Sequence, residues 1–98
     1  MAGQTWHDGT LYEEKGAFAL ARIRYTMARE VEADGFVRLA GRFAMEEELS
    51  PVHTGMAQLA GAGGAGWLVR ILRLSRPGGD GELEVVDELP QAPQRAKG

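Results

Sequence analysis

The chain has 98 residues, a formal net charge of −3 and no cysteine. One domain of this length can bury enough surface to fold without a crosslink, and the missing cysteines exclude disulfides, zinc–thiolate sites and thiol chemistry. The acidic balance argues against nucleic acid as the main partner, because binding to phosphates requires a basic patch.

The chain divides into one domain and two polar ends. Residues 1–8 are predicted to be loosely held, 9–89 to form a single β domain, and 90–98 to be a disordered tail, since it lacks large apolar side chains. The N-terminus has neither the basic start nor the apolar run of a signal peptide. Nowhere do about eighteen apolar residues follow one another, as a membrane-spanning helix needs. We therefore expect a cytoplasmic protein with no membrane segment.

A first strand is predicted between Gly9 and Gly16, and a long antiparallel hairpin follows it, with strands at about 17–31 and 36–49. Ala33-Asp34-Gly35 would form the hairpin loop, because a three-residue loop that ends in glycine supplies the positive φ needed at its last position. Folding the chain back on this loop gives one nearly continuous apolar face, with these residues opposite one another: Val31 and Val37, Met27 and Gly41, Tyr25 and Phe43, Ile23 and Met45, Ala19 and Leu49.

The other face of the same hairpin pairs unlike charges. Glu30 falls opposite Arg38, and Arg22 falls opposite Glu46, as cross-strand neighbours are expected to sort. Both strands exceed the usual strand length, so a bend or bulge is expected near Gly41.

A helix over 17–33 is the alternative for the first half of this hairpin, and it would make the fold α+β. Leu20, Ile23, Met27 and Val31 fall at helical spacing as well. The paired charges favour the strand interpretation, because a helix would leave the second half of the hairpin without its registered partner.

Two further hairpin strands are predicted after a brief strand at 56–60 and a glycine-rich connection at 61–66. The apolar run 67–74 would pair with 82–87, placing Leu74 opposite Leu83, Arg73 opposite Glu84 and Arg70 opposite Asp87. Together the segments give an all-β fold of about six strands in meander order, a small antiparallel barrel or a two-sheet sandwich.

No cofactor, metal or catalytic site is assigned from the sequence. The glycine-rich run lacks the Lys-Ser/Thr ending of a phosphate-binding loop and precedes a strand instead of a helix. His7 and His53 have no ligand spacing, and the acidic run 46–48 is typical of a solubilising strand end. An enzyme that uses the two histidines with a glutamate is the third hypothesis, and it requires these residues to converge.

The leading hypothesis is a non-enzymatic β domain that binds a protein partner or a second copy of itself. Phe18, Leu20 and Phe36 lie on the face opposite Tyr25 and Phe43 and would form the interface. The alternative is a barrel that binds a small molecule in a cavity lined by the following side chains: Tyr25, Phe43, Met45 and Trp67.

Overall fold

The computed structural model describes residues 5–75 and 79–90, which form seven β-strands and one short 3₁₀ turn, with no α-helix. The strands are β1 (His7–Tyr12), β2 (Ala19–Tyr25), β3 (Ala28–Val31), β4 (Val37–Glu48), β5 (Gly55–Gly61), β6 (Gly66–Leu74) and β7 (Asp80–Glu88). The all-β prediction is confirmed. The helical alternative for 17–33 is wrong, because that segment forms β2 and β3.

Six strands close into an antiparallel barrel, in the order β1, β2, β4, β7, β6, β5 and back to β1. The seventh strand, β3, continues the line of β2 and pairs with β4. The predicted barrel is therefore confirmed, but its order is not a simple meander, because β4 does not pair with the next strand, β5. β4 pairs with β7 and β1 pairs with β5, and these contacts close the barrel and remove its free edges.

The long hairpin has the predicted register over most of its length. Tyr25 lies opposite Phe43 and Glu30 lies opposite Arg38. At the tip of the hairpin, Val31 lies opposite Val37. Ion-pair geometry supports the match, since Arg38 Nη2 lies 2.8 Å from Glu30 Oε1.

The predicted pairing of Arg22 with Glu46 is wrong by one residue. A bulge in β4 places Arg22 opposite Glu47, with 3.7 Å between Arg22 Nη1 and Glu47 Oε1. Glu46 instead lies 3.4 Å from Arg24 Nε. The extra residue also shifts the strand end, where the Leu49 and Ser50 amides both donate to Leu20 O. A bulge leaves no signal in the charge pattern, because both registers pair an arginine with a glutamate.

The strand opposite Gly41 is interrupted, near the position where a bend or bulge was predicted. The strand is interrupted at Thr26 and Met27, which lie across from Gly41 and Arg42, and it resumes as β3 in the same register. The Thr26 amide donates to Arg42 O at 2.9 Å, so the two strands stay in contact across the interruption. A Cβ at Gly41 would collide with the carbonyl group of Thr26, so glycine is the residue this crossing requires.

The predicted register between β6 and β7 is wrong. Leu74 lies opposite Gly81 instead of Leu83, and Arg73 lies opposite Glu82 instead of Glu84. The Ser75 amide donates to Asp80 O at 2.7 Å, so pairing resumes immediately after the turn, earlier than predicted. Glu84 is thereby placed opposite Arg70, which was predicted to face Asp87.

The barrel interior is filled by inward-pointing side chains from every barrel strand, as expected for a barrel this small. The buried apolar residues are Leu11, Tyr12, Ala21, Ile23, Tyr25, Ala40, Phe43, Val52, Ala57, Leu59, Val69, Ile71 and Leu83. Alternation along the six barrel strands therefore places one face of the sheet toward the core and the other toward the surface.

The described part of the chain begins close to its first strand and ends soon after its last. β1 begins at His7, inside the segment 1–8 that was predicted to be loosely held, and His7 lies opposite Tyr25. Of the predicted tail 90–98, only Pro90 belongs to the described residues, so the prediction for the rest lies outside them. Within residues 5–75 and 79–90 no helix has the length and apolar character needed to cross a bilayer.

Candidate interaction surface

A two-stranded arm extends the barrel wall at one end. We define the arm as residues 28–39, which comprise β3, its turn and the first residues of β4. The turn follows from the sequence: Gly35, with φ +91°, donates to Glu32 O, and the Phe36 amide donates to Asp34 Oδ1 at 3.1 Å. β4 pairs with β7 only from Ala40 to Ala44, so the arm has no strand partner of its own in the barrel.

Within the described residues, the outer edge of β3 has backbone groups with no strand partner. The Glu32 amide donates to Phe36 O at 2.8 Å, so the even-numbered residues of β3 exchange hydrogen bonds with β4. The N–H and C=O groups of Arg29 and Val31 therefore point away from β4. β1 begins opposite Tyr25, and no strand of the described chain covers this side of β3.

Apolar side chains are concentrated at the end of the arm. Val31 and Phe36 are each 73% exposed and Val37 is 56% exposed. All four residues of β3 are exposed as well. Beside the arm, where β4 and β7 separate, a cleft of about 340 Å³ is lined in part by Val37, Leu39 and Val85. The arm therefore combines a free strand edge with uncovered apolar surface.

Arg38 connects the arm to the barrel. Its guanidinium donates to Glu30 of β3 at 2.8 Å and to Glu84 of β7 at 2.9 Å, and its Nε lies 3.2 Å from Glu32 Oε1. Glu84 also accepts a hydrogen bond from Arg70 of β6 at 2.8 Å. Hydrogen bonds from Arg38 and then Arg70 hold the pKa of Glu84 below its ordinary value, although partial desolvation opposes them. Four strands are thus linked by alternating charges.

This network predicts a pH dependence of stability. A carboxyl group whose pKa is lowered by folding stabilises the fold above its unfolded pKa, and it loses that contribution as the pH falls through its lower folded value. The difference in unfolding free energy between wild type and Glu84→Gln should therefore be largest at neutral pH. It should become smaller as the pH falls below 4.5, the ordinary pKa of a glutamate. Urea unfolding at several pH values measures it.

Glu47→Gln is the matched control, because Glu47 faces Arg22 at 3.7 Å with both side chains more than half exposed. An exposed pair of this kind contributes little. A Glu84→Gln difference that stays constant from pH 7 to pH 3 would contradict the role given to the network.

The predicted interface residues lie at two ends of β4. Phe36 lies at the end of the arm. Phe18 is 51% exposed and precedes β2, which pairs with the opposite end of the twelve-residue strand β4. Leu20 is partly buried and packs against the core, next to Leu49 at that same end. The structure therefore brings Phe18 and Leu20 near each other, and it leaves Phe36 with a different apolar group.

The residues predicted to line a ligand cavity belong to the core cluster or pack against it. Phe43 is fully buried, and the Tyr25 and Trp67 rings meet edge to face with centroids 6.2 Å apart. Met45 and Trp67 cover the core from its margin. Burial raises the pKa of the Tyr25 hydroxyl. Five surface clefts of about 280 to 550 Å³ are all lined by other residues.

The two histidines are not brought together. β1 and β5 pair from Gly9 opposite Gly61 to Tyr12 opposite Gln58, and His7 and His53 lie beyond opposite ends of that pairing. The acidic run 46–48 is engaged in local contacts, with Arg24, Arg22 and the Val52 amide. In the part of the chain that the structure describes, no group of three His, Asp or Glu side chains could hold a metal ion.

The glycine-rich run connects two strands, as the sequence indicated. A 3₁₀ turn at Ala62–Gly64 joins β5 to β6, and the Gly61 amide donates to Ala65 O at 2.8 Å. The run is followed by a strand and not by a helix, so it lacks the geometry of a phosphate-binding loop.

Sequence reasoning missed Val31 and Val37 as surface residues. It placed them on the apolar face of the hairpin, the face that also carries Tyr25 and Phe43. A signal was present in the strand lengths: the hairpin was predicted to have strands of about fifteen residues, more than small barrels usually have. Its tip therefore had to extend beyond the other strands.

Comparison of the chain with protein-family models, with curated proteins and with solved structures finds no match. A function therefore has to be argued from the geometry of the barrel and its arm.

Proposed function

We propose that the protein acts by binding, without catalysis, and that it self-associates through the β3–β4 arm. The observation that carries the proposal is the exposure of Val31 and Phe36, each 73% exposed, at the end of a two-stranded extension. An isolated two-stranded hairpin is marginally stable in water, and clustered apolar side chains on a soluble domain mark interaction sites. A partner that covers the arm would add strands to the two-stranded hairpin and would bury its apolar side chains.

The charges of the arm leave recognition to its backbone edge and its apolar side chains. Arg38 already faces Glu30, Glu32 and Glu84 within 3.2 Å. The arm carries two arginines and three acidic residues, 2 − 3 = −1, so two copies repel each other only weakly. Every copy presents the same edge, and a two-fold dimer is the commonest way to cover such a surface.

Phe36→Asp should therefore shift a dimer toward the monomer. We expect its dissociation constant to rise at least about tenfold, because the substitution replaces an exposed apolar side chain of the arm with a carboxylate opposite Glu32 and so makes the net charge of each arm −2. Light scattering over a concentration series measures the mass, and circular dichroism checks that the variant is folded. Phe36 lies in the turn region of the arm, away from the barrel core, so the barrel should remain intact.

Phe18→Asp is the matched control, an exposed phenylalanine at the other end of β4, and it should leave the dimer unchanged. If Phe18→Asp dissociates the dimer and Phe36→Asp does not, the interface lies at the Phe18 and Leu20 end, and the arm is not used. A wild-type protein that stays monomeric at high micromolar concentration would contradict self-association altogether.

A further inference from the structure

We infer that the free edge of β3 pairs with the β3 edge of a second copy, antiparallel and across a two-fold axis at Glu30. This inference rests on the proposed function and adds which backbone groups meet. The Arg29 and Val31 N–H and C=O groups of each copy would bond to those of the other, joining two arms into one four-stranded sheet.

The edge of β3 is short and two of its four residues are charged, but it lacks the protections that block backbone pairing itself. It has no proline, no lysine and no bulge, and all four of its residues are exposed. Six strands form a continuous ring, and in the described chain the two outer sides of the arm have no strand partner: that of β3, and that of the first residues of β4, which faces the cleft beside β7. The β3 side is the one that faces away from the barrel wall.

The register follows by elimination among the possible two-fold centres. A centre at Arg29 would place two guanidinium groups side by side, and among residues 5–75 and 79–90 no ion pair of Arg29 offsets the repulsion, whereas Arg38 has three acidic neighbours. A centre at Val31 would place Ala33 opposite Arg29 of the second copy, and Ala33 would have to be extended to pair with it. The hydrogen bond from the Gly35 amide to Glu32 O holds Ala33 in the turn instead. Centres before Arg29 run into β1, which occupies the edge from Tyr25 backwards.

A centre at Glu30 satisfies each of these conditions. It places Arg29 opposite Val31 of the second copy, so the methylene groups of the arginine can cover the exposed valine. The two Glu30 carboxylates then lie side by side, but each is held by its own Arg38 at 2.8 Å, which offsets their repulsion. Val31 and Val37 of both copies come to lie on one face of the joined sheet.

Single cysteines test the register cleanly, because the chain contains no other cysteine. In the proposed dimer the two Glu30 Cα atoms form a non-hydrogen-bonded pair about 4.5 Å apart, within the range that a disulfide spans. Glu30→Cys should therefore form a covalent dimer under mild oxidation. Ala28→Cys should not, because its two copies would be offset by four residues, roughly 13 Å along the strands.

Hydrogen exchange in the wild-type protein gives a second measurement that needs no substitution. The Arg29 and Val31 amides should exchange at least about tenfold more slowly at a concentration that favours the dimer than at high dilution. The Ala28 and Glu30 amides already bond to β4 and should change less, so they serve as internal controls.

The outcomes separate the register from the proposed function. A dimer by light scattering that crosslinks through Ala28→Cys but not through Glu30→Cys overturns the register while self-association stands. A dimer without added protection of Arg29 and Val31 overturns edge pairing in the same way. Protection of these two amides at every dilution would mean that the chain covers its own edge, and a monomer at all concentrations would overturn both proposals.

Discussion

Gly41→Ala is expected to destabilise the fold by about 3 kcal/mol, although alanine adds only one methyl group. Gly41 is not among the glycines with positive φ, so the backbone angle itself does not require glycine there. The loss of stability comes from a steric clash. A Cβ would fall on the carbonyl oxygen of Thr26, a backbone atom fixed on both sides by paired strands. Backbone cannot move aside as a flexible side chain can.

Gly35→Ala is the control for this substitution. Gly35 has φ +91° and nothing within 4 Å of a Cβ, so its cost should be conformational strain alone, about 1 to 2 kcal/mol. Urea unfolding followed by Trp fluorescence gives both values on one scale. If Gly41→Ala lowered the unfolding free energy no more than Gly35→Ala does, the close approach of Gly41 to the Thr26 carbonyl group would not exist in solution.

The sequence predicts local pairing well because two independent signals agree along the hairpin. The apolar positions and the unlike charges select the same register from Ile23 through Val31, and the turn at Ala33-Asp34-Gly35 provides the positive φ that this register needs. Each signal alone fits helical spacing or a slipped register. Their agreement favours the hairpin over the helix, and the structure has strands there.

The same signals fail where several registers satisfy them equally. Arg73 finds a glutamate opposite it whether β7 starts at Asp80 or two residues later, because Glu82 and Glu84 alternate with apolar residues. The turn decides between them through the bond from the Ser75 amide to Asp80 O. Turn geometry of this kind depends on backbone conformation that the composition of the loop does not specify.

The closure of the barrel also cannot be predicted from local sequence patterns. The pairings of β4 with β7 and of β1 with β5 join segments far apart in sequence, and they are set by how the twisted sheet curls. The candidate surface depends on that closure. Val31 and Val37 have the pattern of core residues, and they are exposed because β7 stops pairing with β4 at Ala40.

Phe43→Ala is expected to have the largest effect on stability, about 3 to 5 kcal/mol. Phe43 is fully buried in the core and occupies the middle of β4, opposite Tyr25 on one side and Gly81 on the other. Its ring lies so close to Gly81 that a Cβ there would come within 2.8 Å of it. Since domains of this size are stable by only about 5 to 15 kcal/mol, the variant should lose a large share of the total stability.

Phe36→Ala is the matched control, because it removes the same side chain from a residue that is 73% exposed and only seven positions earlier in the chain. It should change the unfolding free energy of the monomer by no more than about 0.5 kcal/mol. The cavity left by Phe43 cannot collapse, because strands on both sides of β4 hold its backbone in place. Equal losses for the two variants in urea unfolding would mean that Phe36 is buried in solution and that the arm folds back on the barrel.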